Sequence, residues 1–214
     1  NVAIGYQAGN VMTTGIQNTL IGGLAGDALT TGNYNVAIGG NTLSAEDAHG
    51  YNTAVGYNAL RLQNAGANAY NVALGYNAGE NISTGTSNVL LGSQAGDALT
   101  TGSHNVAVGR GALGAEDAHG KNVAVGHEAL NAQDAGADAY NVAVGYTAGT
   151  SVSTGTHNTL IGSEAGDALT TGTHNVAVGY QALSTEDAHG KNVAVGSYAL
   201  QDLNAGSDAG NTAV

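Results

Sequence analysis

The 214-residue sequence contains no cysteine, no proline, no phenylalanine and no tryptophan, and a single methionine, Met12. Each absence excludes something. Without cysteine there are no disulfides, no thiolate metal ligands and no cysteine nucleophile. Without Phe and Trp, and with apolar content carried mostly by Ala and Val plus some Leu, any core must be thin and built of small side chains. Cations are almost as scarce: Arg61, Arg110, Lys121 and Lys191 stand against 16 acidic residues, for a net charge of −12. So few scattered cations cannot neutralise a phosphate backbone, so no nucleic-acid partner is expected. A polyanionic surface is also repelled by anionic membranes. No apolar run approaches the length of a bilayer span and no signal-peptide pattern is read, so this segment is expected not to insert into a membrane.

What is abundant is glycine, 35 residues, and it recurs in step with asparagine. Counting from Asn1, the same short string returns at Asn18, Asn35, Asn52, Asn71, Asn88, Asn105, Asn122, Asn141, Asn158, Asn175, Asn192 and Asn211. The steps are 17, 17, 17 and 19 residues, repeated three times. The chain therefore reads as three blocks, 1–70, 71–140 and 141–210, each of four units, with 211–214 opening a further repeat. A short fixed period over a whole chain marks a solenoid or array, not separate globular domains. The sequence begins without an initiator Met and stops inside a unit, which reads as an excerpt of a longer fibrous protein.

Within a unit, the first residue is Asn, the second Val or Thr, the fourth Ile, Val or Leu, and the fifth Gly. Glycine at this density penalises helix and leaves short strands joined by Gly and Asn turns. Each unit is thus one coil of an all-β parallel β-solenoid or β-roll, with coils roughly 4.7–4.9 Å apart. Period-two alternation puts the second and fourth residues on one face, and these, Val2 and Ile4 in the first coil, are expected to fill the interior. The early units of a block have Gly at position nine and a larger apolar residue at position twelve (Gly9 with Met12, Gly26 with Leu29). The later ones have Leu at position nine (Leu43, Leu60) and Glu or Gln at twelve (Glu46, Gln63). One apolar filler supplied from either place suits a core of fixed volume. The two extra residues of every fourth unit are expected to form loops on one face, spaced roughly 19 Å along the rod.

The strings NVAIG (1–5), NTAVGYNAL (52–60) and TTG-x-x-NVAVG (100–109 and 170–179) carry a resemblance. They resemble the head repeats of trimeric autotransporter adhesins, whose motif reads close to Asn-Ser-Val-Ala-Ile-Gly. They also look like the NTAxGxxAL repeats in shafts of phage tail-fibre-like proteins. The resemblance implies a parallel β-roll, often trimeric, serving as a surface-exposed stalk or an adhesive head. The present chain departs from the adhesin pattern in its longer unit, its 17-17-17-19 rhythm and the absence of a neck, coiled coil or anchor.

Candidate sites all recur with the repeat. The Asn at each unit start (Asn1 to Asn192 above) is read as a structural ladder, because stacked identical amides can hydrogen-bond along a column. The glycines at position five, namely Gly5, Gly22, Gly39, Gly56, Gly75, Gly92, Gly109, Gly126, Gly145, Gly162, Gly179 and Gly196, are read as turns with positive φ or close backbone approach. The motif EDAHG occurs at 46–50, 116–120 and 186–190. Its Asp and His, two apart, would share a face in extended chain, so Asp47 with His49, Asp117 with His119 and Asp187 with His189 form a candidate metal pair. The alternative is a solvated acidic turn. Calcium could be held there or by the oxygen-rich turns at Asp27, Asp97 and Asp167; no other cofactor is expected. His104, His157 and His174 share a position with Tyr, Lys, Gln and Ser, which marks an exposed place. Tyrosines recur at position six (Tyr6, Tyr57, Tyr76, Tyr146, Tyr180) and at unit ends (Tyr34, Tyr51, Tyr70, Tyr140), where they either stack between coils or offer a sticky surface. Catalysis calls for one asymmetric constellation in a cleft, and none is present, so no enzyme is expected. These features point to a structural β-solenoid fibre, filament or stalk, displayed on a cell surface, outside the cell or on a virion, and self-associating as a homotrimer or end to end. The alternative is an adhesin head that binds a host or matrix glycan or protein. A remoter one is an ice-binding solenoid, whose Thr array would here be interrupted every two coils.

Overall fold

In the computed structural model, which describes residues 1–204, 206, 207 and 210–214, the chain is a stack of about twelve coils with no helix among the described residues. Each coil contributes one short strand: β1 (Val2–Ile4), β2 (Thr19–Ile21), β3 (Val36–Ile38), β4 (Thr53–Val55), β5 (Val72–Leu74), β6 (Val89–Leu91) and β7 (Val106–Val108). The stack continues through β8 (Val123–Val125), β9 (Val142–Val144), β10 (Thr159–Ile161), β11 (Val176–Val178), β12 (Val193–Val195) and β13 (Thr212–Ala213). Among the described residues these 13 strands form one parallel sheet in sequence order. The pairing is in register even across the 19-residue coils: Thr53 pairs with Val72 as Val2 pairs with Thr19. The two extra residues are therefore absorbed outside the sheet, in exposed loops such as Gly66–Asn68. Of the third block's insertion, residues 205, 208 and 209 lie outside the described residues.

The inside of the coil differs from the expectation in one respect. Position three, not positions two and four, faces inward: Leu20, Ala37, Ala54, Ala73 and Leu90 are fully buried, while Val2 and Ile4 are exposed and their counterparts half-buried or exposed. The physical reason is the Asn. Its amide must reach backbone groups inside the coil, and period-two alternation then sends positions one and three in and positions two and four out.

Filler does come from positions nine and twelve, as Leu43 and Leu60 and as Leu29, Ile82 and Leu99, with Ala at position eight beside them. Position three is a third source. A side chain on Gly9 would meet Leu20 Cδ1 at 2.7 Å and one on Gly26 would meet its Cδ2 at 2.9 Å, so this Leu occupies the volume that two glycines leave open. In the third and fourth coils of a block, where position three is Ala, Leu stands at position nine in a left-handed backbone, with φ of 52° at Leu43 and 49° at Leu60. That conformation costs an L-residue about 1–2 kcal/mol. Burying the side chain returns about 1.5–3 kcal/mol, so packing wins over local strain.

The glycine at position five is needed twice over. At Gly92, φ is +137°, and a Cβ there would sit 2.6 Å from the carbonyl oxygen of Gly109 in the next coil. Replacing Gly92 with Ala is expected to cost about 3 kcal/mol or more, measured as a drop in chemical-denaturation stability. Gly23→Ala, in open space without a positive φ, should be neutral or stabilising by about 0.4–1 kcal/mol.

Candidate functional site

The Asn column runs through the buried interior, and its hydrogen bonds are chiefly of amide to backbone, with amide-to-amide bonds at Asn71, Asn141 and Asn211 among the described residues. Asn18 Oδ1 accepts the Asn35 backbone N–H at 2.9 Å, and its Nδ2 donates to the Gly32 carbonyl of its own coil at 2.8 Å. Asn88 repeats this, accepting from Asn105 N–H at 2.9 Å and donating to Gly102 at 2.9 Å. Each side chain thus ties the start of the next coil to the closing turn of its own. In the fourth coil of a block the glycine at this place, such as Gly66, is carried out into the insertion loop and faces open space. The Nδ2 atoms of Asn52, Asn122 and Asn192 are accordingly buried without a partner.

The third coil of each block holds the metal candidates. Asp47, Asp117 and Asp187 are exposed and His49, His119 and His189 half-buried. The residue that organises the turn is the preceding Glu, which the sequence reading passed over. Glu46, Glu116 and Glu186 are fully buried. Oε1 of each accepts the backbone N–H of the His three residues on, at 2.8, 3.0 and 3.0 Å. The same oxygen lies 3.3, 3.7 and 3.1 Å from that His Nδ1. The signal was available in the register: these Glu residues occupy position twelve, where Leu29 and Ile82 point inward. Glu116, Asp117, His119 and Asp134 bring ligand-type atoms within 4.8 Å of one another; in the first and third blocks only the Glu, Asp and His do so. One imidazole and up to three carboxylates suit zinc or manganese better than calcium, which prefers oxygen alone.

Glu46 Oε2 and Glu116 Oε2 are buried without a partner. They occupy the column in which Gln63 and Gln133 accept Asn71 Nδ2 and Asn141 Nδ2 at 2.6 Å. Unpartnered acceptor and unpartnered Asn amide therefore fall in facing columns of the third and fourth coils. Around Asp27, Asp97 and Asp167 no group of three such ligands forms among the described residues. Burial pushes the Asp97 and Asp167 carboxyls above the usual range, with nearby Glu80 and Glu164 adding repulsion.

The remaining polar features lie outside. The tyrosine and histidine columns stack from coil to coil: Tyr34 on Tyr51 at 4.9 Å, Tyr51 on Tyr70 at 5.1 Å, and His157 on His174 at 4.9 Å between ring centroids. In the second block Gly111 and Gly114 stand where the first has Asn41 and Ser44, which leaves a cleft of about 280 Å³ bordered by Asp97, Arg110 and Glu128. Arg110 closes one side through a 2.9 Å ion pair to Glu128. The insertion loops fold back onto their own rod, with Asn68 Oδ1 and Asp138 Oδ1 accepting the Gly50 and Gly120 N–H groups, both at 3.1 Å.

Asn88→Ala strands a buried N–H and a buried carbonyl and is expected to cost about 2–4 kcal/mol. Asn122→Ala, whose Nδ2 already lacks a partner, should cost about 1 kcal/mol less; equilibrium denaturation of the two variants checks the difference. A second expectation concerns pH. The Glu116 carboxyl is pushed above its ordinary 4.5 by burial, which outweighs the pull of the His119 N–H and imidazole; Asp134 and Asp117 add smaller repulsions. Between the unfolded and folded values the folded state holds the proton, so stability falls as pH rises through that window. Glu116→Gln should therefore be more stable than the parent at pH 7 and lose this share of the pH dependence, as read from denaturant midpoints across pH 4 to 8. No family model, curated protein or solved structure matches this chain.

Proposed function

We propose that the chain is a structural rod, a segment of a fibre or stalk displayed outside a cell or on a virion. The observation that carries this reading is the uninterrupted in-register sheet: each coil repeats the same strand and the same Asn Oδ1 bond to the next coil along roughly 58 Å of axis. Specialised features recur with the block and gather into no deep cleft among the described residues, which supports a mechanical rather than a catalytic role. The net charge of −12 keeps such rods apart in solution. The adhesin alternative draws its support from exposed tyrosines. Their rings, however, cover one another's faces within each stack and present edges and hydroxyls outward, which weakens the ring-face stacking that sugars use.

The test is to lengthen the chain by one more copy of residues 71–140. A rod is expected to grow by roughly 19 Å in negative-stain images, with unfolding no easier than in the parent, because each coil contacts only its neighbours. Long uniform filaments of the native protein would agree with this reading. Discrete particles that bind defined glycans on an array, and whose binding is lost when the tyrosines are replaced, would replace it with the adhesin.

A further inference from the structure

The inversion of the strand leaves a surface to be explained. Positions two and four point out of the coil, yet position two is Val in the twelve full coils apart from Thr19, Thr53 and Thr159, and position four is Ile, Leu or Val throughout. No charged residue occurs at either position in any coil, in a chain that carries 16 acids and 4 bases elsewhere. Exposure is substantial even in mid-stack: Leu74 is 49 % and Val144 36 % accessible although each is shielded by the coils above and below. The result is a flat aliphatic stripe running the length of the sheet. It measures about 58 Å by about 10 Å, from strand spacing and the rise of a three-residue strand. A patch of this size and continuity exceeds what monomeric soluble proteins usually leave in water.

Two more facts bear on what covers it. The stripe is bordered at both strand ends by exposed aromatic columns, Tyr34, Tyr51 and Tyr70 on one side and Tyr57 and Tyr76 on the other. An apolar centre with a tyrosine-rich rim is the usual anatomy of a protein interface. The face also repeats with the coil spacing itself, so its ridges and hollows match those of another face of identical pitch.

We propose that two copies of this chain pack side by side through this stripe, sheet face against sheet face. One flat self-complementary patch generates a closed two-fold pair, whereas a trimer would need two differently placed patches on each rod. About 600 Å² on each copy, or about 1,200 Å² in total, reaches the lower bound for a stable interface. The pairing uses only the outward strand residues and is independent of whether rods also join end to end.

Solution mass by light scattering tests it. The parent is expected at twice the chain mass across the micromolar range. Leu91→Lys with Val125→Lys, both at outward positions two coils apart, should weaken pairing at least a hundredfold and give the single-chain mass with an unchanged circular-dichroism spectrum. Ala67→Lys, in the exposed insertion loop, should keep the double mass. Should the lysine variant not fold, Leu91→Thr with Val108→Thr and Val125→Thr serves instead, since outward Thr already stands at Thr19 and Thr53. Its pairing should weaken at least tenfold. A parent of single or triple mass, or a mass indifferent to these face substitutions, would overturn the proposal. An open-ended series of masses that the face substitutions leave intact would show end-to-end joining alone and would overturn it equally.

Discussion

Coil-to-coil spacing governs this structure. Successive backbones lie one β-sheet spacing apart, about 4.8 Å, so a residue in one coil meets the equivalent residue of the next at nearly the closest distance two chains allow. At position five that distance admits no side chain, because the carbonyl of the following glycine already occupies the place of a Cβ, and glycine recurs there without exception. At position one the same closeness is used productively. An Asn side chain is long enough to accept from the next coil's N–H and to reach its own coil's closing carbonyl. Buried backbone groups that would otherwise be left without partners are satisfied by one repeated residue.

A column so regular makes deviations informative. The two-residue insertion of each fourth coil removes the carbonyl that the Asn amide should meet, and the third coil places a buried glutamate in the adjoining column. In the first two blocks a donor without an acceptor, at Asn52 and Asn122, thus falls in the column next to an acceptor without a donor, at Glu46 and Glu116. Burying a carboxylate in a core otherwise lined by Ala and Leu is costly unless its oxygens are bonded. One oxygen is held by the turn N–H of the following His, which favours the carboxylate, but burial prevails and makes the proton of Glu116 harder to remove. The acidic turn is therefore first of all an internal cap. Its cation-ligating chemistry, richest around Asp134, is superimposed on that role.

The outer face obeys a different demand. Stacked tyrosines and histidines along the strand ends gain contact from the same axial repeat that forbids a side chain on glycine. Between them the aliphatic stripe is too apolar to be explained by the coil's own stability, since it touches none of the core. Its composition fits a sheet covered by another sheet, and the charge on the remaining surface limits where such contact can occur.

Much of this was written in the chain itself. The 17-17-17-19 rhythm, the glycine density and the absence of Phe and Trp determined a parallel solenoid whose coils differ only by the two-residue insertion, because a repeating backbone stack suits such small residues. The two-place supply of Leu from positions nine and twelve also followed from composition alone. Which way the strand faces did not. Val2 and Ile4 read as core by their chemistry, and alternation is satisfied equally well by either face. The choice fell to the hydrogen-bonding needs of the Asn backbone column, a relation between residues 14 and 17 apart that exists only once the coils are stacked. The burial of Glu46, Glu116 and Glu186 was decided in the same way. A charged residue at position twelve looks like a solvated turn in the sequence, and only the shared inward direction of that column places it in the core.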